Sequence, residues 1–297
     1  MRIVDIHNHI DTLNGLLRLR GKLQHHLTNI RDYLPTQEGA QVLLSVSLYA
    51  SFYQTFDHLI DLIQSIKKEI DSLGSDVQLI ETNADLRKNF KLGLILHVES
   101  ARLLKNYQSQ LPQLFDYGVR GIIPVHFKDN QFGDSCDDPL RRLSLKKRNR
   151  GLTTEGEKIV KLCNDKGIWI DLTHTTDTTA SDILSIAKKT MVSHIGIREL
   201  KNLKRNKPLA FLKKLSEKGG LIGLSPWTHL VGNSYKGHYE FAKNNALEDS
   251  ICIGSDYGVP IKTEKTYSSL FKIASEIPDE KFLFKNAWNF FDRALDF

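Results

Sequence analysis

The chain has 297 residues, 40% of them hydrophobic and 26% charged, an ordinary globular composition that excludes disordered and collagen-like classes. Lys and Arg outnumber Asp and Glu by 41 to 35. Six of the basic residues and none of the acidic ones fall in Arg141–Arg150 (RRLSLKKRNR), so the rest of the chain is formally neutral; a run with no aromatic residue reads as a solvated loop, and no nucleic-acid partner is expected.

In chain order, short aliphatic runs alternate with longer segments of helical character. The candidate strands are Ile3–His7, Val42–Leu48, Leu92–Glu99, Gly121–His126, Ile168–Thr173, Met191–His194, Leu221–Leu224 and Ile251–Asp256. Their unbroken apolar character suits strands buried on both faces of a parallel sheet. Between them, Phe52–Leu73 carries Leu59, Ile60, Ile63, Ile66 and Ile70 near helical spacing. Thr154 and Glu157 are spaced as a capping box for a helix ending near Gly167, and Leu209–Leu215 precedes the stop at Gly219–Gly220. Lys128–Arg150 is the longest irregular stretch. Eight strand-helix repeats predict an α/β fold, a single (β/α)8 TIM barrel over residues 1–297. The doubly wound alternative lacks a GxGxxG or Walker motif after any candidate strand. Three widely spaced cysteines suggest a reducing compartment. With no long apolar run and no signal-peptide pattern at MRIVDIHNHID, a soluble cytoplasmic protein without membrane contact is expected.

In barrel enzymes, chemistry gathers at the C-terminal ends of the strands. Here those ends read His7-Asn8-His9, His97-Val98-Glu99, His126, His174, His194 and Asp256. One histidine at a strand end is ordinarily a structural, hydrogen-bonded group, but six such ends on one rim call for another explanation. Residues i and i+2 of a strand share a side, so His7 and His9 can hold one ion together. With Glu99, His174 and His194 they make the nitrogen and oxygen set that zinc and similar divalent ions favour. Five protein ligands exceed what one catalytic zinc takes, so two ions sharing Glu99 are expected, and metal-assisted hydrolysis with them.

These motifs resemble those of the membrane dipeptidase (renal dipeptidase, peptidase M19) family of amidohydrolase-type metallopeptidases. Asp5-Ile6-His7-Asn8-His9 stands where that family has Asp-Gly-His-Asn-Asp, and Val98-Glu99-Ser100 matches its Val-Glu-Gly. Tyr117-Gly118-Val119-Arg120 runs towards His126, Gly151-Leu152-Thr153 and Ile170-Asp171-Leu172-Thr173-His174 match GLT and IDLSH, and Ser193-His194 and Arg205-Asn206 follow. Gly254-Ser255-Asp256-Tyr257 resembles Gly-Gly-Asp-Phe. Two departures are His9, where the family has Asp, and Gly258, where it has a second Asp.

The resemblance implies that His7 and His9 hold one divalent ion, His174 and His194 another, and Glu99 both, with zinc as the expected metal. It implies attack by a hydroxide held between the ions on a dipeptide or related small amide, and His126 stabilising the oxyanion. Asp256 would move the proton, and Arg205 would clamp the substrate carboxylate. A homodimer is the family tendency. A TatD-like nuclease, with Asn286-Ala287 as its point of similarity, a lactonase or deacylase, and a catalytically silent metal-binding barrel are the alternatives. His25, His26, His58, His229 and His238 are read as structural or solvated, His97 as support for the metal ligands, and Tyr257 and Trp227 as packing.

Overall fold

A computed structural model of the chain describes residues 1–10, 30–49, 55–143, 149–258 and 266–296. Among the described residues there are nine parallel strands: β1 (Arg2–Asn8), β2 (Gln41–Tyr49), β3 (Val77–Leu79), β4 (Leu92–Glu99), β5 (Val119–Ile123), β6 (Trp169–Asp171), β7 (Thr190–Ile195), β8 (Leu221–Leu224) and β9 (Ile251–Ile253). β1, β2 and β4 to β9 close into an eight-stranded barrel, because β2 pairs directly with β4 and β9 returns to β1. The ninth strand, β3, has no counterpart among the expected runs. It is three residues long, with only Val77 buried, and pairs with the first half of β4.

Several strand ends lie earlier than the aliphatic runs suggest. β5 stops at Ile123, where Pro124 removes a backbone donor, so His126 belongs to the following connection. β6 and β9 stop at Asp171 and Ile253, and His174 and Asp256 likewise sit beyond the ladder.

Helices cover the barrel: α1 (Phe56–Leu73), α2 (Tyr107–Asp116), α3 (Thr154–Lys166), α4 (Asp177–Ile186), α5 (Leu209–Glu217), α6 (Tyr235–Asn244) and α7 (Thr266–Glu276). α1 buries Leu59, Leu62, Ile63, Ile66 and Ile70, an i, i+3, i+4 stripe facing the sheet, while Ile60 is only partly buried. It begins at Phe56 under a Thr55–His58 capping box; residues 52–54 of the expected helix lie outside the described residues. The expected Thr154–Glu157 capping box is not formed. The cap is Thr153, whose hydroxyl accepts from Gly156 N–H, and a glycine at that third position has no side chain to complete a box. Gly167 ends α3 in the left-handed region at φ 71°, as a Cβ-free residue does readily.

The last helix, α8 (Asn286–Ala294), plugs the N-terminal mouth. Its Phe290 and Phe291 pack on Trp169 inside the barrel beside Val4, Leu43, Ile95, Met191, Leu221 and Cys252. Asn286 donates to the carbonyls of Glu248 and Ile251, so the Asn286-Ala287 similarity to nucleases marks a structural bond at the end of the barrel away from the strand-end histidines. Among the described residues, no helix is long and apolar enough to cross a membrane.

The connection from β5 to α3 folds back over the rim. Cys136 N–H donates to His174 O at 2.8 Å, and Asp134 accepts from Arg150 N at 2.5 Å and Arg150 Nε at 2.9 Å. Of the basic run, Arg150 is therefore tied into the fold, whereas Lys146, Lys147 and Arg148 lie outside the described residues, as do His25 and His26.

Candidate metal centre

The imidazoles of His7, His9, His126, His174 and His194 gather around Glu99, which is 2% exposed at the end of β4. Its Oε1 lies 3.3 Å from His126 Nε2, 3.2 Å from His174 Nε2 and 3.8 Å from His7 Nε2. Its Oε2 faces His9 Nε2 at 3.5 Å and accepts from Ser47 Oγ at 2.9 Å. The two oxygens thus address different imidazoles, the disposition a bridging carboxylate needs. His7 and His9 bring their Nε2 atoms to 3.3 Å of each other, and Asp256 Oδ1 is 3.3 Å from His9 and 3.9 Å from His7.

Among the described residues four compact donor clusters result: His7, His9 and Asp256; His7, Glu99 and His194; His7, His97 and Asp171; and Glu99, His126 and His174. His194 stacks on His7 with ring centroids 3.7 Å apart, and His174 meets His126 edge-on at 4.0 Å. Arg205, whose expected neighbour was a substrate, reaches the same rim and touches His174.

Register shifts explain how one short rim holds so many groups. β1 gains a residue over β2 between Asp5 and Asn8, β5 gains one over β4 beside His97, and β7 gains one over β8 between Val192 and Ile195. Such bulges turn a side chain away from strict alternation and are common next to active sites. Close approach also requires glycine: a Cβ on Gly223 or Gly254 would stand 1.8 or 1.6 Å from Ser193 O. At Gly258, φ is +87° and a Cβ would lie 1.8 Å from His9 O, so this backbone has no room for the family's second Asp.

Backbone strain gathers at the same rim. His174 and Asp256 adopt φ of 68° and 56°, and Ser100 and Phe127, next to Glu99 and His126, adopt 87° and 55°. Each such residue costs about 1–3 kcal/mol and persists where surrounding bonds impose it. For Asp256 those bonds include its own N–H to His7 O at 2.9 Å.

Burial governs protonation. It drives His7 well below the usual imidazole range and pulls His97 and His126 down to about 3. Burial opposes the Glu99 charge, but the facing imidazoles, His126 first, hold its carboxyl well below the ordinary value. Asp5, packed against the Ser255 and Asn8 side chains, is pushed up to about 6 by burial.

Neutral imidazoles can present lone pairs only if their other nitrogens donate elsewhere, and the hydrogen bonds meet that condition. Ser193 Oγ lies 2.7 Å from His194 Nδ1 and 3.2 Å from His7 Nδ1. Its two lone pairs accept both ring protons while its own proton goes to Thr173 Oγ1 at 3.3 Å, and Thr173 donates to Asp171 Oδ1 at 2.6 Å. His97 Nε2 approaches His7 Nδ1 at 3.2 Å, with Ser45 Oγ 2.9 Å from its far nitrogen. This leaves the Nε2 lone pairs of His7 and His194 directed at the centre.

The donor set fits a divalent cation on two grounds. His174 Nε2 is buried with no hydrogen-bond partner although it lies 3.2 Å from a carboxylate oxygen. The converging atoms are imidazole nitrogens and carboxylate oxygens with no thiolate, chemistry suited to zinc or manganese. Ser193→Ala is expected to weaken metal binding about 10–100-fold, the usual effect of removing a group that orients a ligand, and titration of metal-free protein with a chromogenic chelator measures it. Unchanged affinity would show that Ser193 does not set the ring orientation.

The remaining histidines fall where a structural role puts them. His238 Nδ1 accepts from Ile197 N–H, His58 caps α1, and exposed His229 lies beside Trp227. Tyr257 is buried, and its carbonyl accepts from His9 N–H. Reading strand ends missed Asp137, Ser193, Thr173 and Asp171. The last three sit in the same short motifs as His174 and His194, whereas Asp137 is in an irregular connection with no pattern to mark it.

Comparison with known proteins gives a consistent picture. The profile of the family described as membrane dipeptidase (peptidase family M19) matches residues 3–280. An uncharacterised dipeptidase of Schizosaccharomyces pombe is 26% identical over 249 residues, which is 74% of this chain and 58% of that protein. Dipeptidase 3 of Mus musculus is also 26% identical, over 74% of this chain and 46% of its own length. The chain thus spans about half the length of the curated relatives it matches. Among solved structures, the metallopeptidase from Rhodobacter sphaeroides bound to a phosphinate mimic of L-Ala-D-Ala has a TM-score of 0.77 at 18% identity, covering 99% of both chains. The dipeptidase AC, of the same family, also scores 0.77, at 17% identity and 99% coverage of both. At those identities the likeness establishes the barrel fold.

Proposed function

The chain belongs to the membrane dipeptidase family, peptidase family M19, and from that premise we propose that it is a dinuclear metal-dependent hydrolase of dipeptides. The observation that carries the reading is Glu99, around which four imidazoles gather: its Oε1 lies 3.2–3.8 Å from His7, His126 and His174 and its Oε2 3.5 Å from His9. His7 and His9 would hold one ion and His174 and His194 the other, with Glu99 between them. Zinc is the ion we assign, on the nitrogen and oxygen donor set. Divalent ions there supply Lewis acidity, which polarises a carbonyl and makes water nucleophilic near neutral pH.

The chain's own groups do the rest. Asp256 Oδ1, beside His7 and His9, takes the proton of the attacking water and returns it to the leaving amine. His126, with Nε2 facing the centre, donates to the carbonyl oxygen as negative charge develops. Arg205, nine-tenths buried with Nε unpartnered, donates to the carboxylate of the dipeptide.

Metal analysis of the purified chain with an assay of L-L and L-D dipeptides tests the reading. We expect two equivalents of divalent metal and release of free amino acids; L-Ala-D-Ala is a natural first substrate, because the Rhodobacter sphaeroides metallopeptidase was crystallised with its phosphinate mimic. Retention of no divalent ion, or no dipeptide cleavage by the loaded protein, would overturn it. Within this scheme Arg205→Ala should raise KM for dipeptides roughly 10–150-fold, the equivalent of one charged hydrogen bond worth about 1.5–3 kcal/mol, and leave KM for dipeptide amides nearly unchanged.

A further inference from the structure

Asp137 lies in the connection between β5 and α3, outside every motif that marks the rim. A single oxygen, Oδ2, stands 2.6 Å from His174 Nδ1 and 2.8 Å from Arg205 Nη1. Resting on the dipeptidase reading of the centre, we propose that Asp137 is a positioning residue that couples one metal-binding imidazole to the arginine that receives the substrate carboxylate.

Towards His174, the carboxylate is placed to accept an Nδ1 proton, which would favour the tautomer whose free Nε2 faces Glu99, 3.2 Å away, and Arg205 Nη1 touches the same Nδ1. A carboxylate behind an imidazole also fixes the plane of the ring. His174 needs such a restraint, since its backbone is held in the left-handed region at φ 68°. Towards Arg205, Asp137 compensates a charge that burial would otherwise make costly. It occupies one end of the guanidinium and leaves Nε, buried and without a partner, for a ligand.

The support is rigid enough to carry this load. Next to Asp137, Cys136 N–H and Ser135 Oγ both donate to His174 O, at 2.8 and 3.2 Å. Asp137 N–H donates to Ser135 Oγ at 3.2 Å, and Ser135 N–H to Asp129 Oδ1 at 2.8 Å. The loop that carries the carboxylate is therefore tied to the loop that carries the ligand. Lys207, fully buried, adds a further tie by donating to Thr175 O at 2.6 Å.

Sharing one oxygen makes the two sites interdependent. When a ligand carboxylate takes up part of the Arg205 charge, Asp137 is a stronger acceptor for His174, and metal binding tightens; by linkage, metal binding tightens carboxylate binding equally.

The test uses the full chain with Asp137→Asn, which is isosteric, and Asp137→Ala. Zinc affinity is read by chelator competition on metal-free protein, with and without acetyl-alanine as a carboxylate probe, and KM is compared between dipeptides and their amides. We expect one of two zinc equivalents to weaken about 10–100-fold in Asp137→Ala, and less in Asp137→Asn. The tightening by the probe should vanish, and KM should rise for dipeptides but not for amides. Wild-type zinc affinity in both variants, or a KM that rises equally for dipeptides and amides, overturns the proposal. Circular dichroism and the melting temperature of the metal-free variants separate misfolding from loss of the coupling. If the wild-type chain cleaves no dipeptide, the functional reading fails on that result alone, and the zinc and probe measurements still decide the role of Asp137.

Discussion

Replacing His174 and His194 together with Ala is expected to abolish dipeptide hydrolysis. Both rings reach the centre from loops or strand ends on the rim, and the second ion would keep only the shared Glu99. Loss of Lewis-acid help worth about 4 kcal/mol corresponds to roughly a 10³-fold fall in kcat, and the lost ligand geometry adds to it. The fold should survive, because the α8 plug and the helix layer that hold the barrel lie away from these side chains. Metal analysis should find the first site still occupied at His7 and His9. Kinetics, metal content and circular dichroism on the same preparation check all three, and undiminished turnover in the double variant would sink the mechanism.

Asp256→Asn should lower kcat by roughly 10²–10⁴-fold, the range for a lost general acid-base group, while metal content and KM change little. Asparagine is the informative substitution here. Asp256 sits at φ 56°, a left-handed conformation that Asn tolerates better than most residues, so the variant keeps the backbone bond to His7 O while losing the proton acceptor. Alanine would combine strain with the chemical change and confuse the two. Rapid-quench or steady-state rates across a dipeptide series measure the effect; a kcat within a few-fold of wild type would take the proton-transfer role away from Asp256.

The basic run shows how the meaning of a sequence feature changes with its neighbours. Its compactness in the sequence already argued against a polyanion-binding surface, and Arg150 proves to be a partner of Asp134 that closes the β5–α3 connection. The same connection supplies Asp137, so the stretch that looked least informative carries the group that touches both His174 and Arg205.

By itself the sequence determined the barrel, since aliphatic runs and amphipathic segments alternate at a period only a parallel sheet with covering helices can bury. It also determined the identity of the rim groups, because His7, His9, Glu99, His126, His174, His194 and Asp256 all follow such runs directly. It did not reveal β3, whose Val77–Leu79 is too short and too exposed to stand out, or the true ends of β5, β6 and β9. The tertiary structure alone decided which atoms meet. Register shifts at β1, β5 and β7 and the glycine approach at Ser193 break the alternation from which facing is inferred. Ser193 and Asp137 acquire their roles from neighbours 186 and 68 residues away along the chain. Periodicity reports how a segment meets its own layer, and only closure of the barrel brings such distant segments within hydrogen-bonding distance.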